Sequence, residues 1–195
     1  MSPLLKARVS GAWVDTEAMG AVRVGGVTVP FGPSGGPTLE DVTWPDPPAS
    51  TNLDDGDAYT MGIRFSLTAA KPIYGITWRV PDSVTTPAGG NHVATLWAVS
   101  DESLLATINF TPVPGGEQQI LFSAPYTPLA APVQYVAAVH TRKYVFRNGG
   151  GIWPTSPSGN VITDQGKLVV NNNPAVYPGG TFGTPWYYVS PLVEV

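Results

Sequence analysis

Between Ala58 and Val80 large apolar side chains return at every second position: Tyr59, Met61, Ile63, Phe65 and Leu67, with Thr60, Gly62, Arg64 and Ser66 between them. Successive side chains of a strand point to opposite faces, so this spacing gathers the apolar groups on one face of a sheet. After a break at Lys71-Pro72 the same period resumes in Ile76, Trp78 and Val80. Two consecutive half-buried strands predict the founding pair of an antiparallel sheet, a scaffold that holds no chemistry. No segment sustains a 3.6-residue period, so almost no helix is expected.

Short apolar runs punctuated by turn formers continue to the end of the chain. Val93–Val99 reads as a central strand, apolar on both faces, followed by Leu104–Phe110, Gln118–Phe122, Val133–Val139 and Tyr144–Phe146. From Arg147 to Gly183 only Gly166–Val170 offers a short strand, and the closing run Trp186–Val193 carries Pro191, which suits an edge. Gly 22 and Pro 21 together exceed a fifth of the 195 residues, while apolar residues make up 43%. That mixture predicts an all-β chain, an antiparallel β-sandwich of roughly eight strands with a jelly-roll-like arrangement.

The first thirty residues contain a near-repeat. Ala7–Asp15 (ARVSGAWVD) is echoed by Val22–Pro30 (VRVGGVTVP), each copy flanking Ser-Gly or Gly-Gly with β-prone pieces. Glycine supplies the positive φ of a two-residue turn, so each copy reads as a hairpin too small to be stable alone. Residues 32–57 hold five prolines and four glycines and read as an extended linker, along which Leu39, Val42 and Trp44 offer anchors. The expected organisation is an N-terminal anchor at 1–31, a linker at 32–57 and a sandwich domain at 58–195. Trp13, Val14, Val27, Val29 and Phe31 are the expected docking residues of the anchor.

Charged residues are only 12% and the net charge is −4, so the clustered Lys and Arg of a nucleic-acid surface are missing. Low charge gives a free monomer little protection against association, which favours residence in a larger assembly. Cysteine is absent, excluding disulfides, zinc-thiolate sites and thiol nucleophiles. The opening MSPLLKARVSGAWVD lacks the apolar core of a signal peptide, and no run reaches membrane-span length. The expectation is synthesis in the cytosol, no membrane insertion and no export by the ordinary route.

Catalysis is not expected. His92 and His140 share no metal-ligand spacing; His92 beside Asn91 reads as a loop residue and His140 as a strand-end residue. There is no GxSxG, and the body's few acids lie mostly in turns. Asn52-Leu53-Asp54-Asp55-Gly56-Asp57 is the densest acidic cluster. Its oxygens suit Ca²⁺, but Gly56 is misplaced for an EF-hand and the distal Glu is missing, so a polar turn is the preferred reading and no cofactor or metal is assigned. Calcium at Asp54, Asp55 and Asp57 stays open. The glycine runs at Gly149–Gly151 and Gly179-Gly180 lack the context of a phosphate cradle.

The aromatics divide into two groups. Trp78 and Trp97 lie in apolar strands and read as core. Tyr144, Trp153, Tyr177, Trp186 and Tyr187 lie in or beside the late loops, with Asp164, Asn171, Asn172 and Asn173 near them. Flat rings with fixed polar partners are what a sugar-binding surface uses. The candidate ligand residues are therefore Tyr144, Trp153, Asp164, Asn171, Tyr177, Trp186 and Tyr187; plugging the end of the sandwich is the structural alternative for each.

From Tyr59 to Val195 the succession GIRF, GITWRV, VATLWAVSDESLLATINF, QQILFSAPYTPLAAPVQYVAAVHT and GTFGTPWYYVSPLVEV resembles an uncharacterised β-sandwich domain found in secreted bacterial proteins. That resemblance carries over no catalytic residues and implies at most a carbohydrate-binding-like role. The opening KARVSGAWVDTEAMGAVRVGGVTVPFGP is similar to the openings of minor tail and other virion proteins of phages infecting actinobacteria. Together these imply a virion structural protein, made in the host cytoplasm and located in the particle. Its expected partners are other virion proteins, further copies of itself in a symmetric homo-oligomer, and host-surface glycan. A capsid decoration protein or head fibre, and a cellular carbohydrate-binding module, are the alternatives.

Overall fold

A computed structural model describes residues 6–9, 12–15, 21–24, 27–30, 37–44, 51–54, 56–88, 90–129, 132–148 and 153–195. At 6–9, 12–15, 21–24, 27–30 and 51–52 only the backbone is described, and Phe31 and Asp55 lie outside the described residues. Over these residues the chain is all-β with no helix. The strands in chain order begin with β1 (Lys6–Val9), β2 (Ala12–Asp15), β3 (Ala21–Val24), β4 (Val27–Pro30), β5 (Leu39–Glu40) and β6 (Thr51–Leu53). They continue with β7 (Tyr59–Leu67), β8 (Ile73–Val80), β9 (His92–Ala98), β10 (Leu104–Phe110) and β11 (Gly116–Tyr126). The last are β12 (Gln134–Thr141), β13 (Tyr144–Asn148), β14 (Val161–Val170), β15 (Pro185–Trp186) and β16 (Val189–Glu194).

Two antiparallel sheets pack face to face as a β-sandwich. One has the order β10-β9-β12-β7-β14 and the other β11-β8-β16-β5-β4-β3, with a small sheet β15-β13-β6 beside them. The expected founding pair is corrected here: β7 and β8 do not pair. β7 lies between β12 and β14, while β8 lies between β11 and β16 in the opposite sheet. The corner between them is held to another loop instead of closing a hairpin. Asn160 Oδ1 accepts from the Ala69 amide at 2.9 Å and the Thr68 hydroxyl at 3.0 Å, and the Thr68 amide donates to the Asn160 carbonyl at 2.9 Å. The two apolar faces therefore meet across the core. Met61, Ile63, Phe65 and Leu67 from one sheet join Ile76, Trp78 and Val80 from the other, with Tyr135, Ala137 and Val139 of β12 in the same cluster.

The late chain departs most from the expectation. β14 runs ten residues, where only Gly166–Val170 reads as a strand in sequence. Thr163-Asp164-Gln165 interrupts the apolar alternation, and a bulge between Thr163 and Gln165 absorbs the extra residue while pairing with β7 continues on either side. Pro191 lies inside its sheet, not at an edge, opposite Ile76 of β8. The other neighbour of β16 is two-residue β5, which pairs only at Val193 and Glu194, so no ladder partner lies on that side of Pro191.

Both N-terminal hairpins are present, but they have different fates. β1 and β2 form a two-stranded sheet of their own, whereas β4 pairs with β5 and so extends the six-stranded sheet. The stretch read as a linker is thus partly built in: β5 contributes two buried residues, and Asp41 and Val42 beside it are buried as well.

Candidate functional site

The seven expected ligand residues do not come together on one surface. Tyr144 and Tyr187 are core residues: their rings stand 6.1 Å apart edge to face, and Tyr59 lies 5.4 Å from Tyr144. Burial in this cluster pushes the Tyr187 hydroxyl far above its ordinary pKa. Trp186 is also buried, against Trp44 at 5.7 Å, with the Arg147 guanidinium over its ring at 5.5 Å. Trp153 packs half-buried against the main core.

Tyr177 and Asp164 serve the outer face of the β7-containing sheet. Trp97, expected in the main core, instead joins Val136 and Ala138 on that outer face. Residues 171–180 fold back to cover them. Tyr177 stands edge to face on Trp97 at 5.9 Å, the Leu168 and Gly180 amides donate to each other's carbonyls at 3.0 Å, and Lys167 Nζ donates to the Gly179 carbonyl at 3.3 Å. This cover explains why β12 is buried on both faces. Asp164, at the bulge, accepts from Arg64 Nε at 2.8 Å, Arg64 Nη2 at 2.9 Å and Gln134 Nε2 at 2.9 Å. Asn171 Oδ1 accepts from the Asn173 amide at 2.8 Å in a local turn. These polar groups are spent within the protein.

The strand registers bring a different set of loops to one end of the sandwich. Tyr59 of β7 sits opposite Thr141 and Val170, His140 is opposite Val93, and His92 is opposite Phe110. The segments beyond these positions therefore share that end. There Asp54 Oδ1 accepts from Arg142 Nε at 2.8 Å and Oδ2 accepts from the Thr85 hydroxyl at 3.1 Å. The Arg142 hydrogen bond holds the Asp54 carboxyl below the ordinary carboxylate range. Both oxygens of this calcium candidate are thus engaged by side chains, and among the described residues no three His, Cys, Asp or Glu gather as a metal site.

Beside this ion pair lies an open cleft of about 250 Å³, lined by Val84, Thr86, Asn91, His92, Phe110 and Thr111 among others. His92 is the first residue of β9, not a loop residue, and is buried beside the rings of Trp78 at 6.3 Å and Phe110 at 6.0 Å, which also touch each other. Its position was hidden in the sequence because Phe110 and Trp78 reach it from other strands. The signal available was modest: His92 directly precedes an uninterrupted apolar strand.

Burial lowers the pKa of His92, and burial with the nearby His92 lowers that of His140, whose Nδ1 bonds the Thr60 hydroxyl at 3.0 Å. An unfolded histidine titrates at about 6.5, so below that pH the unfolded chain binds more protons than the folded one. Stability is fully present above this pH and is lost as pH falls toward the folded pKa values. The urea midpoint is expected to fall between about pH 7 and about pH 5, and His140→Gln should flatten that dependence.

No curated protein sequence matches the chain at a significant level. Residues 45–189 match the family described as "Domain of unknown function (DUF4082)", a span that takes in β6 to β15 and reaches the first residue of β16. With most of its length inside that match, the chain belongs to the DUF4082 family.

Proposed function

We propose that this chain is a virion structural protein, non-catalytic, that docks through its N-terminal hairpin and displays the sandwich outward toward the host surface. The observation that carries the reading is the unequal fate of the two near-repeats. The second hairpin, with Val27 and Val29, is consumed as the edge of the six-stranded sheet. The first, with Trp13 and Val14, hydrogen-bonds only to itself among the described strands. An isolated hairpin is marginal in water, so this one requires a surface to pack on. The charge-poor composition supports residence in an assembly.

Removing residues 1–16 separates the anchor from the fold, since β3, β4 and β5 remain. The truncated protein should melt within about 2 °C of the full chain yet be missing from purified particles, as read by mass spectrometry of the virion. Truncated protein found in particles at the full-length amount overturns the docking assignment. Neighbouring genes distinguish the placements: tail genes support an appendage of the tail, capsid genes a decoration protein, and a glycoside hydrolase a cellular binding module.

A further inference from the structure

Among the described residues the two main sheets end on β10, β14, β11 and β3. Natural sheets keep such edges from pairing with another chain by covering them, by keeping them short, or by placing charge or proline on them. β14 is covered by its own chain through the bridges Thr155–Ile162 and Leu168–Gly180. β11 carries Glu117 and Pro125, and β3 is short and carries Arg23. β10 has none of these. Leu104–Phe110 (LLATINF) contains no charged residue, proline or glycine, and β9 is its one ladder partner among the described strands. Its single irregularity, the bulge between Leu104 and Ala106, falls at the start and leaves Ala106–Phe110 in regular register with β9.

The exposure agrees. Every residue of β9 is buried, while no residue of β10 is. Ala106, Ile108 and Phe110 lie opposite Leu96, Ala94 and His92 and pack, half-buried, against the core; Thr107 and Asn109 alternate with them and are exposed. The core therefore stops at β10 with its apolar groups half covered. An uncharged run of β-prone residues with a free ladder edge is a template for another strand.

The pattern of that edge fits its own reverse. Laid antiparallel with Ile108 opposite Ile108, a second β10 sets Ala106 against Phe110 and Thr107 against Asn109. Opposed residues of an antiparallel pair share a face, so apolar groups meet on the core side and a hydroxyl meets an amide on the outer side. Every pair is neutral, so nothing repels an identical chain. The nearest charges before the strand, Asp101 and Glu102, fall past the end of the partner's ladder. Such a contact uses the same patch on both copies and closes at two.

We propose that β10 is a self-association edge, pairing antiparallel with β10 of a second copy about a two-fold axis at Ile108 and joining the two β10-edged sheets into one. A ladder this short makes a weak pair, with a dissociation constant of about 0.1 mM, which becomes effective where copies are held close together in an assembly. The edge is separate from the docking hairpin, so its failure leaves the virion reading untouched.

The test is sedimentation equilibrium of the full chain from about 10 µM to about 1 mM, where a monomer–dimer equilibrium is expected. Thr107→Lys, at an exposed position, places two lysines across the interface and should weaken association at least tenfold while leaving the melting temperature of the dilute protein within about 2 °C. Removing residues 1–16 should leave the dimerisation unchanged. The register is read by cross-linking: the chain has no cysteine, so Thr107→Cys and Asn109→Cys introduce single thiols. Under mild oxidation the two variants mixed should form disulfide-linked dimers faster than either alone, because 107 faces 109 and not itself. A chain that stays monomeric at about 1 mM, a Thr107→Lys variant that dimerises like the parent, or a mixture that cross-links no faster than its components overturns the proposal.

Discussion

Gly62→Ala should lower the melting temperature by about 10 °C or prevent folding, since it brings the closest main-chain clash of any methyl group added to the described glycines. Gly62 lies in the middle of β7 opposite Ala138 of β12, and a Cβ built on it would stand 1.8 Å from the Ala137 carbonyl oxygen and 2.6 Å from the Ala138 Cα. Those atoms are main chain of the neighbouring central strand, so no flexible side chain can move aside. β12 is itself clamped between β7 and β9, so it can retreat only by breaking one ladder. Overpacking a well-filled site costs about 1–3 kcal/mol when side chains can adjust, and this site exceeds that range because backbone must move. At about 2–4 °C per kcal/mol for a chain of this size, a cost near 4 kcal/mol gives a fall of about 8–16 °C. Gly116→Ala is the matched control: nothing lies within 4 Å of its Cβ and its φ is ordinary, so its melting temperature should stay within about 2 °C. Differential scanning calorimetry on the pair decides the matter, and equal melting temperatures would refute the close-approach argument.

Glu40→Ala should cost about 2–4 kcal/mol, read as a lower urea midpoint with unchanged slope. Glu40 is 1% exposed on β5, a carboxylate in a place where carboxylates are rarely found unless they are paired. Three donors from one loop hold it: the Ser156 hydroxyl at 2.9 Å, the Ser158 amide at 3.0 Å and the Ser158 hydroxyl. The Ser156 hydroxyl also accepts from the Val161 amide at 3.1 Å, which fixes the start of β14. Truncation removes the acceptor and leaves buried donors behind, and the unmade bonds are the larger part of the cost. Glu40→Gln keeps one carbonyl oxygen and should lose less than half as much. Glu40 stands outside the matched span at 45–189, so the experiment also asks whether the sandwich depends on a strand that lies before that span. An alanine variant as stable as the parent would show that β5 is an accessory.

Period-two alternation made the all-β class legible, because the faces of Tyr59–Leu67 and Ile76–Val80 had to be buried and a sandwich buries both. Glycine at each N-terminal turn made both hairpins legible. What alternation does not encode is the partner of each strand. β7 and β8 carry identical patterns whether they lie side by side or face each other, and the corner between them is pinned at Thr68 and Ala69 by Asn160, 92 and 91 residues away in the chain. β14 escaped for the opposite reason: Asp164 at its bulge looks like a loop residue until Arg64 on the adjacent β7 and Gln134 on β12 beyond it are seen to hold it.

The aromatic residues make the same division at the functional level. In sequence Tyr144, Trp186 and Tyr187 are rings beside loops, and rings serve equally as core or as a binding platform. Their depth depends on which layers close over them, and Tyr59, Trp44 and Arg147 close over them from other segments. His92 is the converse, a residue local context leaves unremarkable and tertiary packing sets against a cleft with one ring nitrogen unsatisfied. The sequence by itself determined the strand class, the two hairpins and the apolar face of each early strand, because these follow from local geometry and side-chain period. Only the tertiary structure decided which strands pair, which hairpin is left over and which polar atoms stay unpaired, because each of these depends on contacts between residues far apart in the chain.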